Sequence, residues 1–392
     1  MTMNERFVVA GVCGLLLSAS IAANAGRGAA PTVMRTPDGG LQPQALIDSK
    51  GVLHLIYLKG DPSACDIFYV RQEPGERKFS EPIRVNSQPN SAIAVGTIRG
   101  AQLALGKNDR VHVAWNGSGK ATPQAYNKSA PMCYTRLDDS GKAFEPQRSV
   151  MQQTWGLDGG GSVAADQAGN VYVVWHGRTP RAQGGEEVRQ VWVARSTDEG
   201  KSFAKETLAN SQPTGACGCC GLKAFVDSRG ALHVLYRSAT AGVNRDIYML
   251  TSKDTGKTFQ NALVQKWNTP KCTMSSEAFS EGPAGVLAAW ETENQVYFGK
   301  FAPAATQVPR PVAAPGAGRE RKHPAAVSNA DGETLFVWTE GTGWQKGGSL
   351  AWCIFDEDGK PTREAGRVDG GIPVWGLPTV VAKPDGSFVI IH

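Results

Sequence analysis

Four cysteines in this sequence have the chemistry to hold a metal ion. Three of them lie in the segment Thr214-Gly-Ala-Cys217-Gly-Cys219-Cys220-Gly221, and the fourth is Cys272. Thiolates are preferred ligands of soft ions such as Cu(I), and they also bind Zn(II). The spacing Cys-x-Cys-Cys differs from the two Cys-x-x-Cys pairs of a zinc ribbon. The four cysteines are therefore a candidate copper or zinc site that does not follow the zinc-ribbon pattern.

The same residues have a second interpretation as disulfide partners. Eight cysteines occur in the sequence, and seven remain once Cys13 of the N-terminal apolar run is set aside. An odd number leaves at least one thiol free, bound to metal or paired with another chain. Disulfides such as Cys65–Cys133, and Cys272 with one cysteine of the triplet, would staple neighbouring loops. Cys219 and Cys220 are a poor pair because side chains of consecutive residues diverge.

The N-terminus predicts export from the cell. Arg6 precedes an apolar run from residue 7 to 22, and Ala23-Asn-Ala25 then provides a small-residue cleavage site. We expect residues 1–25 to be a secretory signal peptide and residues 26–392 to form one mature domain, periplasmic or secreted. The apolar run is too short for a typical membrane span, and the mature sequence has no other candidate.

Composition favours a globular protein with many short strands. Hydrophobic residues make up 41% of the chain and charged residues 20%, and there are 46 glycines and 23 prolines for tight turns. The formal net charge of +5 is mild. Because no basic cluster alternates with aromatic residues, nucleic acid is not an expected partner.

The cysteines lie between copies of a hairpin pattern that recurs along the sequence. Each copy has an apolar strand, a turn that usually contains glycine, and a second apolar strand that ends in an aromatic residue. Clear copies span residues 45–57, 103–115, 163–175 and 224–236; weaker copies end at Trp290 and Trp338, and a last one closes the chain at 380–391. Repeats at intervals of roughly 45–60 residues indicate a β-propeller, in which four-stranded sheets surround a central axis.

Two octapeptides narrow this prediction to a family. Ser196-Thr-Asp-Glu-Gly-Lys-Ser-Phe203 and Ser252-Lys-Asp-Thr-Gly-Lys-Thr-Phe259 share the pattern Ser-x-Asp-x-Gly-x-x-Phe, a turn in which aspartate bonds the backbone and glycine accepts positive φ. A partial copy spans residues 139–144. The pattern resembles the Asp box of sialidases and related BNR-repeat propellers, here in an exported subgroup with a Cys-x-Cys-Cys loop.

The resemblance implies an all-β, sialidase-like β-propeller with four-stranded antiparallel blades. Sialidases imply six blades, whereas the sequence shows seven hairpins. We favour six and keep seven as the alternative. The final hairpin has no outer strands of its own, so we expect residues 31–36 to add one and close the ring.

The resemblance also implies what a sialidase site would need: three arginines for the substrate carboxylate, a tyrosine–glutamate nucleophile and an aspartate. The first arginine is replaced by Gln42, which cannot supply the charge. Arg99, Arg178 and Arg237 stand where anion-binding arginines could lie, and His176 adjoins Arg178. No tyrosine–glutamate pair can be placed. Sialidase catalysis is therefore not expected, and whether the protein is an enzyme stays open.

The propeller topology places most cysteines on one face. Connections between blades and loops between second and third strands lie on the face opposite the Asp boxes, and these segments carry the triplet and Cys272. We expect an exported propeller that binds a ligand or a soft metal on this face. The alternatives are an exo-α-sialidase or related glycoside hydrolase acting on an acidic sugar, and an interaction module for a glycan or a protein.

Overall fold

The computed structural model describes residues 29–302 and 308–392 of the chain. This part is all-β, with short 3-10 turns at Pro37–Gly39, Lys107–Asp109, Tyr126–Lys128 and Glu186–Val188. The predicted signal peptide lies outside the described residues. Within them, no helix is long and apolar enough to cross a membrane.

The strands form seven sheets, the blades of a β-propeller, numbered here in chain order. Blade 1 has β2 (Leu41–Ile47), β3 (Leu53–Asp61), β4 (Ala64–Gln72) and β5 (Ile83–Arg84). Blade 2 has β6 (Gln102–Leu105), β7 (Val111–Asn116), β8 (Met132–Arg136) and β9 (Arg148–Ser149). Blade 3 has β10 (Gly161–Ala165), β11 (Val171–Gly177), β12 (Gln190–Ser196) and β13 (Thr207–Leu208). Each is antiparallel, in the predicted four-strand order.

The second half of the ring repeats this plan until its last sheet. Blade 4 has β14 (Leu222–Val226), β15 (Leu232–Arg237), β16 (Ile247–Ser252) and β17 (Gln260–Gln265). Blade 5 has β18 (Ala278–Gly282), β19 (Gly285–Thr292), β20 (Gln295–Phe301) and β21 (Val312–Ala313). Blade 6 has β22 (Arg321–Ser328), β23 (Thr334–Glu340), β24 (Gly348–Phe355) and β25 (Pro361–Ile372). Blade 7 has β26 (Thr379–Ala382), β27 (Phe388–Ile391) and β1 (Thr32–Met34).

Blade 7 is composite and closes the ring. Strand β1 pairs in parallel with β27, with Met34 opposite Ile391. The amide of His392 donates to the Met34 carbonyl (3.1 Å), and the amide of Thr36 donates to the His392 carbonyl (2.8 Å). This is the closure predicted for residues 31–36. The blade count is seven rather than the favoured six, because the final hairpin completes a sheet with the N-terminal strand.

The core is divided among the interfaces between neighbouring blades. Each of the seven interfaces in the described chain has its own cluster of buried apolar side chains. The aromatic residues that end the second strands are almost completely buried, with Trp115, Trp175 and Trp290 at 0% exposure. The alternation seen in the sequence therefore packs each blade against the next one.

The Asp boxes are turns between the third and fourth strands, as predicted. The carboxylate of Asp198 accepts from the amide of Ser202 (2.9 Å), and the hydroxyl of Ser196 accepts from the amide of Gly200 (2.8 Å). Gly200 has a φ of +79°. The ring of Phe203 lies edge-on to Tyr134 of blade 2, with centroids 4.8 Å apart. The box therefore joins its own blade to the preceding one.

The innermost strands of all seven blades surround a central channel. Their side chains line a cavity of about 440 Å³. The segment with Cys217, Cys219 and Cys220 leads into β14, and Cys272 lies shortly before β18. The four candidate cysteines therefore lie in the segments that lead into the innermost strands of the adjacent blades 4 and 5.

Candidate functional site

The thiols of the cysteine triplet converge in the structure. The sulfur atoms of Cys217, Cys219 and Cys220 all lie within 4.8 Å of one another. Cys217 Sγ and Cys219 Sγ are 3.3 Å apart. The thiol of Cys272 lies within hydrogen-bonding reach of Cys219. Two blades therefore bring four thiols to one place, which we call the thiol cluster (Cys217, Cys219, Cys220 and Cys272).

Backbone contacts fix the loop that carries the triplet. The amide of Cys217 donates to the carbonyl of Arg237 (2.9 Å), and the amide of Gly221 donates to the carbonyl of Ser275 (2.9 Å). The amide of Gly218 donates to Glu186 Oε1 (2.6 Å). Cys217 and Cys220 are buried, Cys219 is half-buried and Cys272 is exposed. The cluster is thus held rigidly at its base and reaches solvent through Cys272.

All seven cysteines of the described residues are free thiols. Cys217 Sγ and Cys219 Sγ are 3.3 Å apart, well beyond the ~2.05 Å of a disulfide. The predicted Cys65–Cys133 disulfide is also absent. Both residues are buried in the core between blades 1 and 2, where burial raises the pKa of each thiol to about 12. They serve there as apolar packing residues.

The thiol cluster has a different protonation behaviour. Hydrogen bonds from Cys217 and Cys220 lower the pKa of Cys219, and the bond with Cys219 lowers the pKa of Cys272. The pKa of Cys217 is raised well above its usual value by hydrogen bonding to Cys219. Cys219 therefore becomes a thiolate, the form that binds metals, before Cys217 does.

Charged side chains surround the cluster. Arg237 Nη2 lies 2.9 Å from Glu291 Oε2, and both side chains are at 0% exposure. Arg245 Nη2 lies 2.8 Å from Glu186 Oε2. Burial alone would lower the pKa of Arg237, but the nearby Cys220 thiol and Glu291 outweigh it and raise that pKa. The two arginines therefore place positive charge beside the thiols.

The donor set fits a soft metal ion. A metal–sulfur bond of ~2.3 Å allows two sulfurs on one ion to lie up to roughly 4.6 Å apart, and the triplet sulfurs are within 4.8 Å of one another. His176 lies beside the carbonyl of Cys220, and burial lowers its pKa to about 4. Neither of its buried ring nitrogens has a hydrogen bond in the described residues. The three thiols are close enough to share one ion, and the neutral imidazole of His176 lies next to the backbone of the same loop.

The residues predicted to bind a ligand anion are engaged internally. Arg99 donates to Asp158 Oδ1 (2.5 Å) and to the Asp158 carbonyl (2.7 Å). The guanidinium of Arg178 lies 4.4 Å from the ring centre of Trp155. Arg237 faces Glu291 rather than solvent. The structure does not bring Arg99, Arg178 and Arg237 into one open cleft, and ligand binding by them stays a prediction.

Gln42, which stands in place of the first sialidase arginine, has a structural role. Its amide donates to the carbonyl of Ala94 (2.6 Å) and to the carbonyl of Trp375 (2.9 Å). It has a positive φ of 52° and is 2% exposed. Gln42 therefore ties three segments of the ring together.

Sequence reasoning missed the carboxylates around the cluster. Glu291 interrupts the apolar strand β19 directly after Trp290, which was a usable signal of a buried charge. Glu277 precedes β18 and is 6% exposed, and neither of its oxygens has a hydrogen bond in the described residues. Burial raises the pKa of Glu277 well above its usual value. Glu186 lies in a connection within blade 3, and nothing in the sequence relates it to Cys217.

Comparison with solved structures shows propellers of this kind. A protein of unknown function from Dyadobacter fermentans matches with 14% identity and a TM-score of 0.51, over 80% of this chain and 94% of its own. The Hadza microbial sialidase Hz136 matches with 12% identity and a TM-score of 0.50, over 85% and 74%. A GH93 α-L-arabinofuranosidase of Fusarium graminearum matches with 13% identity and a TM-score of 0.51, over 87% and 97%.

These similarities establish the fold and its likeness to β-propeller glycoside hydrolases. No protein-family model matches the sequence, and no curated protein matches it. At such low identity the function has to be argued from the site itself.

Proposed function

We propose that the protein is an exported propeller that binds a soft metal ion, Cu(I) or Zn(II), at the thiol cluster. One observation supports this most directly: three thiols of one short loop lie within 4.8 Å of one another without forming a disulfide. Cys217, Cys219 and Cys220 would hold the ion, and Cys272 would be the fourth ligand for an ion that prefers four. Thiolate sulfur is the donor that selects Cu(I) and Zn(II) over harder ions.

The electrostatic surroundings support binding by several thiolates. Three or four thiolates on a monovalent or divalent ion leave an excess of negative charge, which is costly to bury. The guanidinium of Arg245 lies beside Glu186, whose carboxylate also accepts from the amide of Gly218 in the cysteine loop. The positive charge of Arg237 also interacts with the thiols of Cys220 and Cys217. These two arginines would offset the charge of the bound complex.

The metal content of protein purified without oxygen tests this proposal. We expect copper or zinc in the isolated protein, and tight Cu(I) binding in competition with a colorimetric copper chelator. Cys219→Ser and Cys220→Ser should each weaken the affinity at least ~10-fold, because each removes a thiolate ligand. Cys353→Ser is the matched control, since Cys353 is a buried free thiol of β24, in another blade. Its affinity should equal that of the wild type.

Two results would contradict the proposal. One is a purified protein without copper or zinc in which thiol counting shows three disulfides formed, which would support stapling instead. The other is an equal Cu(I) affinity in Cys220→Ser and Cys353→Ser, which would place the metal elsewhere.

We further propose that the protein does not act as a sialidase. Gln42 bonds to backbone carbonyls where the family has an arginine, and Arg99 and Arg237 have carboxylate partners within the protein. A glycan or protein ligand on the cysteine-bearing face remains part of the proposal. A glycoside hydrolase acting on an acidic sugar is the alternative, compatible with the fold.

A further inference from the structure

The central channel contains a lysine that has no acidic partner. Lys223 lies on β14 and projects into the cavity of about 440 Å³. Its amine donates to Gln102 Oε1 (2.6 Å) and to Gln44 Oε1 (3.2 Å), which belong to blades 2 and 1. It forms no ion pair with a carboxylate of the described residues, and burial lowers its pKa to about 8. By accessible surface the Lys223 side chain is half-buried in the channel wall, and charges removed from bulk water are normally paired.

The groups around this amine form a set of unused hydrogen-bond donors. An ammonium has three donors, and Lys223 uses two of them on the glutamines. The side-chain oxygens of Gln44 and Gln102 accept from the lysine, and their side-chain nitrogens donate no hydrogen bond within the described part of the chain. Hydrogen-bond donors from three blades therefore lie next to one another in the channel. Such a set suits a carboxylate, which has about four acceptor positions.

The remainder of the cavity sets the character of the ligand. Small apolar side chains form much of the wall, including Ala104, Ala164, Ala224 and Ala278. Glu277 lines the same cavity and is the one further polar group with both oxygens unpartnered among the described residues. A volume of this size lies in the range of small-molecule sites. The cavity therefore favours an organic anion over a bare inorganic one.

We propose that Lys223, Gln44 and Gln102 bind the carboxylate of a small organic acid inside the central channel, with Glu277 as a second polar anchor for its body. The donors that would bind the carboxylate do not belong to the thiol cluster, whereas Glu277 lies near Cys220. The ligand requires a single negative charge, because one ammonium supplies the only cation among the described residues that line the cavity.

Calorimetric titration with butyrate and 4-hydroxybutyrate tests the proposal. We expect both acids to bind the wild-type protein, and 4-hydroxybutyrate to bind more tightly because its hydroxyl can bond Glu277. Lys223→Met keeps the length of the side chain and removes the charge, so it should weaken both affinities at least ~10-fold. Lys50→Met is the matched control, because Lys50 is exposed in the turn between β2 and β3. Its affinities should equal those of the wild type.

If Lys223→Met does not fold, a second variant can still test the proposal. The double variant Gln44→Leu, Gln102→Leu keeps the charge and removes the amides, and it should also weaken butyrate binding at least ~10-fold. Butyrate affinity is measured on the wild-type protein before and after treatment with a metal chelator and should be the same in both, so failure at the metal site is distinguishable from failure here. The proposal is overturned if neither acid binds the wild type, if Lys223→Met and Lys50→Met bind equally, or if sulfate binds while butyrate does not.

Discussion

Arg237 and Glu291 show how burial decides the role of a charged residue. The two are 54 positions apart in the sequence and form an ion pair from which solvent is excluded. Even beside the arginine, burial raises the pKa of Glu291 to about 7. Removing one partner of a buried pair typically costs ~3–5 kcal/mol, because the other charge is left without compensation. Arg237 lies at a hairpin end, where it could have bound a substrate anion. In the fold it instead neutralises a buried carboxylate.

His112 provides a prediction about pH at the residue scale. It lies on β7 at 1% exposure, and its Nδ1 is 2.7 Å from the hydroxyl of Tyr134. Burial, with Arg110 and Arg136 nearby, lowers its pKa to about 3. In the unfolded chain His112 therefore becomes protonated near pH 6.5, whereas in the folded protein it stays neutral at that pH. Stability from this group is complete above pH 6.5 and is lost as the pH falls.

Chemical denaturation of the wild type and His112→Phe at pH 7 and pH 4.5 measures this effect. The variant keeps an aromatic ring and cannot titrate. Between the two pH values, the wild type should lose about 2 kcal/mol more of its free energy of unfolding than the variant does, since each pKa unit is worth ~1.4 kcal/mol. Equal losses in the two proteins would show that His112 does not stay neutral in the fold.

At the scale of elements, strand β1 is where the ring is closed. Strand β1 pairs with β27 through backbone hydrogen bonds, and only residues whose N–H and C=O point toward β27 form them. The Met34 carbonyl accepts from the amide of His392. Because the N–H and C=O of one strand residue point to the same side, the amide of Met34 faces β27 and that of Val33 faces away. The closure was predictable from sequence because the last hairpin lacked outer strands.

Proline substitution tests this closure. Met34→Pro removes a donor to β27 and should lower the free energy of unfolding by about 3 kcal/mol. Val33→Pro is the matched control, because its amide faces away and both variants lose a partly buried apolar side chain. It should cost clearly less in a urea titration. Equal costs would mean that the ring does not depend on this pairing.

At the scale of the whole molecule, the ring brings residues from distant blades to one axis. The thiol cluster takes its cysteines from the loops that lead into blades 4 and 5, and the channel amine takes partners from blades 1 and 2. The fold is similar to those of a microbial sialidase and a fungal arabinofuranosidase. The shared architecture supplies a rigid frame, and the side chains at its face and axis decide the chemistry.

Sialidase activity can therefore be tested on the intact propeller. We expect no turnover of a fluorogenic sialoside above the buffer rate. Gln42 stands where a sialidase would have its first arginine, and the other candidate arginines interact with partners inside the protein. Turnover that Arg237→Ala abolishes, in a variant shown by circular dichroism to be folded, would support the hydrolase alternative instead. A known sialidase assayed in parallel confirms that the substrate is intact.

The sequence by itself determined the features that depend on neighbouring residues. Strand alternation and turn chemistry act within about ten positions, so the hairpins and the Asp boxes at Asp198 and Asp254 were predictable, and so was the cysteine triplet. Tertiary structure decided the blade count, the free state of Cys65 and Cys133, and the partners of Arg237 and Lys223. These outcomes depend on which distant side chains become desolvated together, and desolvation is a property of the folded ring.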